Sequence, residues 1–112
     1  MTTITLVQLV PPGQLPAADA AIYTVPLLTA AKIGRAVFTN TTASAVTITA
    51  GITTGGNLTA STTLISAQTL SPGQAYVSPE LAGAVLPAAS ELRAYASAAS
   101  AVTFTMSGLT IQ

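Results

Sequence analysis

The sequence predicts an all-β domain, an antiparallel β-sandwich or small jelly roll of about seven to eight strands, and three observations carry that expectation. Apolar and polar residues alternate with period two wherever a pattern can be counted, as in Val46, Ile48, Ala50 and Ile52 against Thr47, Thr49 and Gly51. Threonine, valine and isoleucine crowd these segments, and β-branched side chains lose little on a pleated surface. Turn residues separate the segments at spacings of roughly eight to twelve positions, as a sandwich requires.

In chain order, residues 4–9 form an alternating, uncharged first segment that stops at Pro11-Pro12-Gly13. A single helical turn fits residues 16–20, followed by a strand over 21–25 and another over 33–39 that ends at Asn40-Thr41-Thr42. The strand from Val46 closes at Gly55-Gly56-Asn57, residues 63–70 close at Pro72-Gly73, and shorter strands follow over 74–77 and 92–96. Residues 97–100 make a weaker turn into the last strand, where Val102, Phe104 and Met106 oppose Thr103, Thr105 and Ser107. After Gly108 the apolar positions become Leu109 and Ile111, so the parity flips: either a bulge sits at the glycine or the stretch is covered on both faces. Val46, Ile48, Val102, Phe104 and Met106 are the expected core. The alanine-rich pieces 17–21, 82–89 and 94–101 favour helix by propensity, but proline, glycine or serine interrupts or bounds each one, and none carries a helical apolar stripe.

The motif ASAVT occurs at 43–47 and again at 99–103, each time followed by a large apolar residue and Thr. Arg35-Ala36-Val37-Phe38 leads into the first copy and Arg93-Ala94-Tyr95 into the second, so each copy reads as the return strand of a hairpin. Pro12-Gly13-Gln14 and Pro72-Gly73-Gln74 recur upstream in the same order. The repeat is read as hairpin grammar used twice in preference to an ancient duplication, and it implies no active element.

Composition excludes several chemistries. The 112 residues make one domain with one core. Cysteine and histidine are absent, which removes disulfides, thiolate or imidazole metal sites and any triad built on them. No apolar run is long enough for a membrane span, and no basic leader precedes the first one, so a soluble chain made in a cytoplasm is expected. Only six residues are charged, Asp19, Lys32, Arg35, Glu80, Glu91 and Arg93, and the net charge is zero. Spread over about 5,700 Å² for a monomer of this mass, they leave a surface poorly protected against association. Three cations and five aromatics are too few for a nucleic-acid partner.

No constellation announces catalysis, and no catalytic, cofactor or metal residue is assigned. Glu80 with Glu91, or Asp19 with Lys32, would be the acid/base pairs to consider, but each residue is isolated among apolar or small neighbours. Glu91 and Arg93 read better as a surface or intersubunit ion pair. Asn40-Thr41-Thr42 and Asn57-Leu58-Thr59 fit the glycosylation sequon and are read as turn asparagines. Thr47/Thr49 and Thr103/Thr105 each place two hydroxyls on one sheet face, as solvent-facing strand threonines do. Residues 1–11 are either the first strand of the sandwich or an N-terminal arm that pairs with a neighbour's sheet edge. In the second case Ile4, Leu6, Val7 and Leu9 are the assembly contacts.

The order AIYTVP, then GRAVFTNTTASAVTITAGI, a glycine-rich turn, LSPGQAY, and LRAYASAASAVTFTMSGL resembles the small β-sandwich virion proteins encoded among the structural genes of tailed bacteriophages. The likeness spans about residues 22–109 and rests on strand grammar and composition. It implies a non-enzymatic structural protein without cofactor, most specifically a capsid decoration protein, with tail, baseplate or fibre assembly as the alternative. It also implies a homo-oligomer, in the family a trimer, partnered by the major capsid or tail protein. Such a protein is found in the virion, and in the host cytoplasm during assembly, with neither nucleic acid nor membrane as partner. A module that binds a host-surface saccharide is the other class, and it calls for two of Tyr23, Tyr76 and Tyr95 to converge in an exposed groove.

Overall fold

The computed structural model describes residues 3–112, none of them helical. Nine strands follow one another: β1 Ile4–Gln14, β2 Ala20–Thr24, β3 Ala30–Asn40, β4 Val46–Thr53, β5 Thr63–Leu70, β6 Ala75–Val77, β7 Val85–Leu86, β8 Glu91–Ala96 and β9 Val102–Ile111. All pairings are antiparallel. One sheet has the order β1-β9-β3-β6, with β7 also on β3, and the other has the order β2-β8-β4-β5. Two interleaved four-stranded sheets of this kind are a jelly roll, with β7 added to an outer position.

The core lies between the sheets and follows the period-two pattern. Val46, Ile48 and Ala50 of β4 face Val102, Phe104 and Met106 of β9 across it, all buried. Phe38 of β3 stands directly opposite Phe104 in the ladder, with ring centroids 4.6 Å apart and planes tilted by 37°. Ile33, Ile65, Leu70, Leu81, Leu86 and Leu92 fill the remainder.

Both ASAVT copies sit at corners between the sheets, which corrects the hairpin reading. β3 does not pair with β4, nor β8 with β9; instead β3 pairs with β9 and β4 with β8. Each copy therefore begins the strand that follows a crossing from one sheet to the other. The corners are tied reciprocally: the Thr41 N–H donates to the Ala101 carbonyl at 2.9 Å, and the Ser97 N–H donates to the Thr47 carbonyl at 2.9 Å. Alternation along one strand cannot tell a hairpin partner from a partner in the facing sheet, because both need the same inward face.

Asn40 organises the first corner. Its side chain is fully buried, and Nδ2 donates to the carbonyls of Ser44 at 2.8 Å, Leu70 at 3.1 Å and Ser71 at 3.3 Å. Oδ1 accepts from the Thr42 N–H at 2.9 Å and from the Thr42 hydroxyl at 2.8 Å. The residue caps its own turn, as the sequence suggested, and also fastens the end of β5 to that turn.

Two other expectations change. β1 runs on through Pro11-Pro12-Gly13 to Gln14, whose partner is Thr103; it is an edge strand, where an absent N–H need not break a ladder. Residues 16–20 form bends and the start of β2 instead of a helical turn.

The parity flip after Gly108 is not a bulge in β9. The extra residues lie in its neighbours, at Gly34 between Ile33 and Arg35 of β3, and in β1 between Val7 and Val10. β9 stays regular, so Gly108 falls in the inward row with Ile33, while Leu109 and Ile111 turn outward. Gly108 is needed for contact: a Cβ there would overlap the Lys32 carbonyl oxygen of the adjacent strand.

Candidate functional site

The outward turn of Leu109 and Ile111 creates an apolar face on the β1-β9-β3 sheet. Direct cross-strand partners share a face, so the register defines two outward rows. Leu6, Leu109, Lys32 and Val85 form one across β1, β9, β3 and β7, and Ile4, Ile111 and Ala30 form the next. Leu6 is 82% exposed, Ile4 63% and Val85 61%. Isolated exposed apolar side chains are ordinary, whereas contiguous rows of them mark interaction surfaces.

Beside these rows the bulges open a shallow depression of about 650 Å³. Leu6, Leu109 and Lys32 line one side; Gln8, Ser107 and Gly34 complete it, with Val7 and the side-chain-free Gly108. The bulge at Gly34 restores the inward phase of β3, Ala31 and Ile33 before it and Ala36 and Phe38 after it. It thereby leaves Gly34 and Arg35 together on the exposed side.

The four residues expected as assembly contacts therefore divide. Ile4 and Leu6 lie on the outward rows, Val7 is 38% exposed in the inward row beside Gly108, and Leu9 belongs to the core at 8%. β1 itself pairs with β9 of its own chain along its length. Leu109, Ile111 and Val85 join Ile4 and Leu6. The parity flip in β9 was the signal for the first two, while Val85, in a two-residue strand, left none.

The charged residues settle into two local arrangements on other parts of the surface. Arg93 donates from Nε to Asp19 and from a terminal nitrogen to Glu91, both at 2.9 Å, and reaches the Asn57 side-chain oxygen at 3.2 Å. Asp19 also accepts the Leu58 N–H at 2.7 Å. The Glu91–Arg93 pair is thus a clasp within the chain that anchors the β4–β5 loop, and Asp19 is not brought to Lys32. Glu80 accepts from the Tyr76 hydroxyl at 2.7 Å and the Ser78 hydroxyl at 3.2 Å, apart from Glu91.

The bond to Glu80, helped by partial burial and the carboxylate's charge, pushes the Tyr76 hydroxyl up to about 12. In return the Tyr76 hydroxyl holds the Glu80 carboxyl below its ordinary value. The signs are opposite at the two ends of the pH scale. The tyrosine contribution to stability is present below about pH 10, its ordinary pKa, and is lost as pH rises towards 12; the glutamate contribution is present at neutral pH and is lost in acid. Tyr76→Phe is expected to remove the highest tyrosinate absorbance step in an alkaline titration. A step near 12 that persists in the variant would contradict the assignment.

The other motifs are engaged locally. Thr49 Oγ1 accepts the Ala67 N–H at 3.2 Å and Thr105 Oγ1 donates to the Val10 carbonyl at 3.1 Å, so the threonine pairs serve bulges in two different sheets. Tyr76 lies in one sheet and Tyr23 and Tyr95 in the other, and the ring contacts among the described residues are Phe38–Tyr76 and Phe38–Phe104. The depression has no aromatic lining.

No family model and no curated protein sequence matches the chain. Solved structures do. The chain is similar to the structure of the Gx strain of infectious bursal disease virus, with a TM-score of 0.54 at 15% identity over 99% of this chain and 32% of that one. It is similar also to the VP2 subviral particle of infectious bursal disease virus, with a TM-score of 0.53 at 16% identity over 98% of this chain and 32% of that one. The chain spans about a third of the length of these proteins, and at such identities the likeness is one of fold.

Proposed function

We propose that the chain is a non-enzymatic structural subunit of a virus particle, specifically a capsid decoration protein of a tailed bacteriophage that binds and stabilises the assembled shell. The observation that carries this reading is the outward apolar face of the β1-β9-β3 sheet, on a molecule with six charges on 5647 Å² of surface. The fold likeness to a viral subviral particle supports it. The chain works by adhesion: Ile4 and Leu6 meet the neighbour through apolar burial and strand-edge pairing, while Val7 and Leu9 hold the strand in place from its inward side. Copies associate into a closed homo-oligomer, a trimer by the family resemblance, and many copies per particle add avidity.

The test is decoration of purified particles by an Ile4→Asp/Leu6→Asp double variant. Both side chains are mostly exposed, so the variant should keep its melting temperature within a few degrees, as surface changes of roughly 0.5 kcal/mol allow, and lose occupancy at least tenfold. The wild-type contact should weaken in raised salt by no more than about tenfold, the share of two exposed ion pairs, because its apolar burial is not screened. Full occupancy of the double variant would move the contact elsewhere, and particles that never carry the wild-type protein would remove the virion reading. A monomer in sedimentation at micromolar concentration would remove the oligomer.

A further inference from the structure

We propose that the depression around Gly34 and Gly108 is a docking site for an aliphatic peptide segment that carries a carboxylate, contributed by the protein on which this chain sits. The identity of that protein rests on the virion reading; the chemistry of the site does not. Its apolar component is the lining already described, dominated by Leu6, Leu109 and bare glycine backbone, with a volume of about 650 Å³ inside the range of roughly 300–1,000 Å³ typical of ligand sites. The open shape and aliphatic wall suit a branched aliphatic side chain and offer no ring on which a sugar or base could stack.

The charge preference comes from what the acidic residues are doing. Asp19 and Glu91 are engaged by Arg93, and Glu80 by two hydroxyls. Lys32 and Arg35 therefore have no ion-pair partner among the described residues, and both belong to β3 at this site. Lys32 lines the depression, and Arg35 is the ladder partner of Ser107, which lines it too. A chain of zero net charge thus carries a locally cationic apolar face, with its Asp19–Arg93–Glu91 cluster in the opposite sheet. A second copy docked face to face here would bring like charges together, and the carboxylates that another face of a copy could present are already engaged by Arg93 or by the Tyr76 and Ser78 hydroxyls, so the complementary occupant is a different protein. Two exposed cations are too few to hold a nucleic-acid backbone, but they suffice to select an acidic side chain next to an aliphatic one.

The probe is a capped pentapeptide of alternating leucine and glutamate, titrated into the full chain and followed through the backbone amide resonances of Gly34, Ser107 and Gly108. These three are expected to shift together. The glutamine version of the peptide should bind about five- to tenfold more weakly, the effect of two exposed ion pairs, and the lysine version more weakly still. Lys32→Ala/Arg35→Ala should reduce the glutamate peptide to the glutamine level without changing the melting temperature, and Leu6→Ser should weaken all three peptides. Equal affinity for the glutamate and glutamine peptides, or no shift at these amides, overturns the proposal. Particle decoration separates the two readings: full occupancy by the Lys32/Arg35 variant overturns the docking site and leaves the virion assignment standing. Wild-type protein that never decorates overturns the virion assignment, and the peptide titration still decides the site.

Discussion

Phe104→Ala should lower the free energy of unfolding by about 3–5 kcal/mol. β9 is the second strand of its sheet, held between β1 and β3, and Phe104 is 1% exposed. Losing the buried ring forfeits roughly 1.5–3 kcal/mol of transfer free energy, and the tilted ring contact with Phe38 at 4.6 Å adds about 0.5–1.5 kcal/mol. The remainder is the cavity, which two sheets fixed by hydrogen bonds on both sides of the strand cannot close. For a domain of this size the midpoint of thermal unfolding should fall by on the order of 15 °C. Chemical denaturation giving less than about 1 kcal/mol, well under the range for such truncations, would show that the Phe38–Phe104 pair is not the centre of the core.

Asn40→Asp is expected to be as damaging, although it changes one atom. The amide nitrogen now points at three carbonyl oxygens, those of Ser44, Leu70 and Ser71. A carboxylate oxygen in its place would face them with no donor, and an uncompensated buried charge costs about 3–5 kcal/mol. The same surroundings would raise the new acid's pKa, so the deficit should be smallest below about pH 4, the ordinary range of an aspartate, and grow as pH rises. Asn40→Ala should cost less, about 2–3 kcal/mol, by leaving the carbonyls and the Thr42 N–H without their partner. Denaturation of the three proteins across pH checks both claims, and an aspartate variant as stable as wild type at pH 7 would contradict the role given to the amide donor.

Much of the architecture is legible in residue order because period-two alternation reports which side of a strand is buried. Val46, Ile48, Val102, Phe104 and Met106 all lie in the core as the alternation implies. The pairing of the strands is not legible in the same way. Residues 35–38 and the first ASAVT copy look like a hairpin because both strands need an inward face, yet they belong to facing sheets. β7 is two residues long and owes its strand geometry entirely to the register of β3, so no local pattern marks it. The candidate surface was visible only as an anomaly: Leu109 and Ile111 break the parity of β9, and deciding between a bulge and a second covered face required the neighbours of Gly108. Ile4 and Leu6 could be named from their alternation, but Leu9 continues the apolar run into the core, and Lys32 and Arg35 acquire meaning only once the partners of every carboxylate are known.

The crossing pattern of the chain has a consequence for how the domain forms. Among the described residues, six of the eight connections between successive strands pass from one sheet to the other, and only β4 and β5 are hydrogen-bonded neighbours in sequence and in space. Almost no sheet structure can be made locally, so loop-closure entropy must be met before most native pairings contribute. Such a chain folds on the slow side, in milliseconds to seconds, and an uncharged β1 left waiting for β9, which follows every other described strand, is a strand edge open to other chains meanwhile. The β4–β5 hairpin, clasped at its loop by Arg93 once β8 arrives, is the one piece able to form early, and the order of assembly is set from the middle of the chain outward.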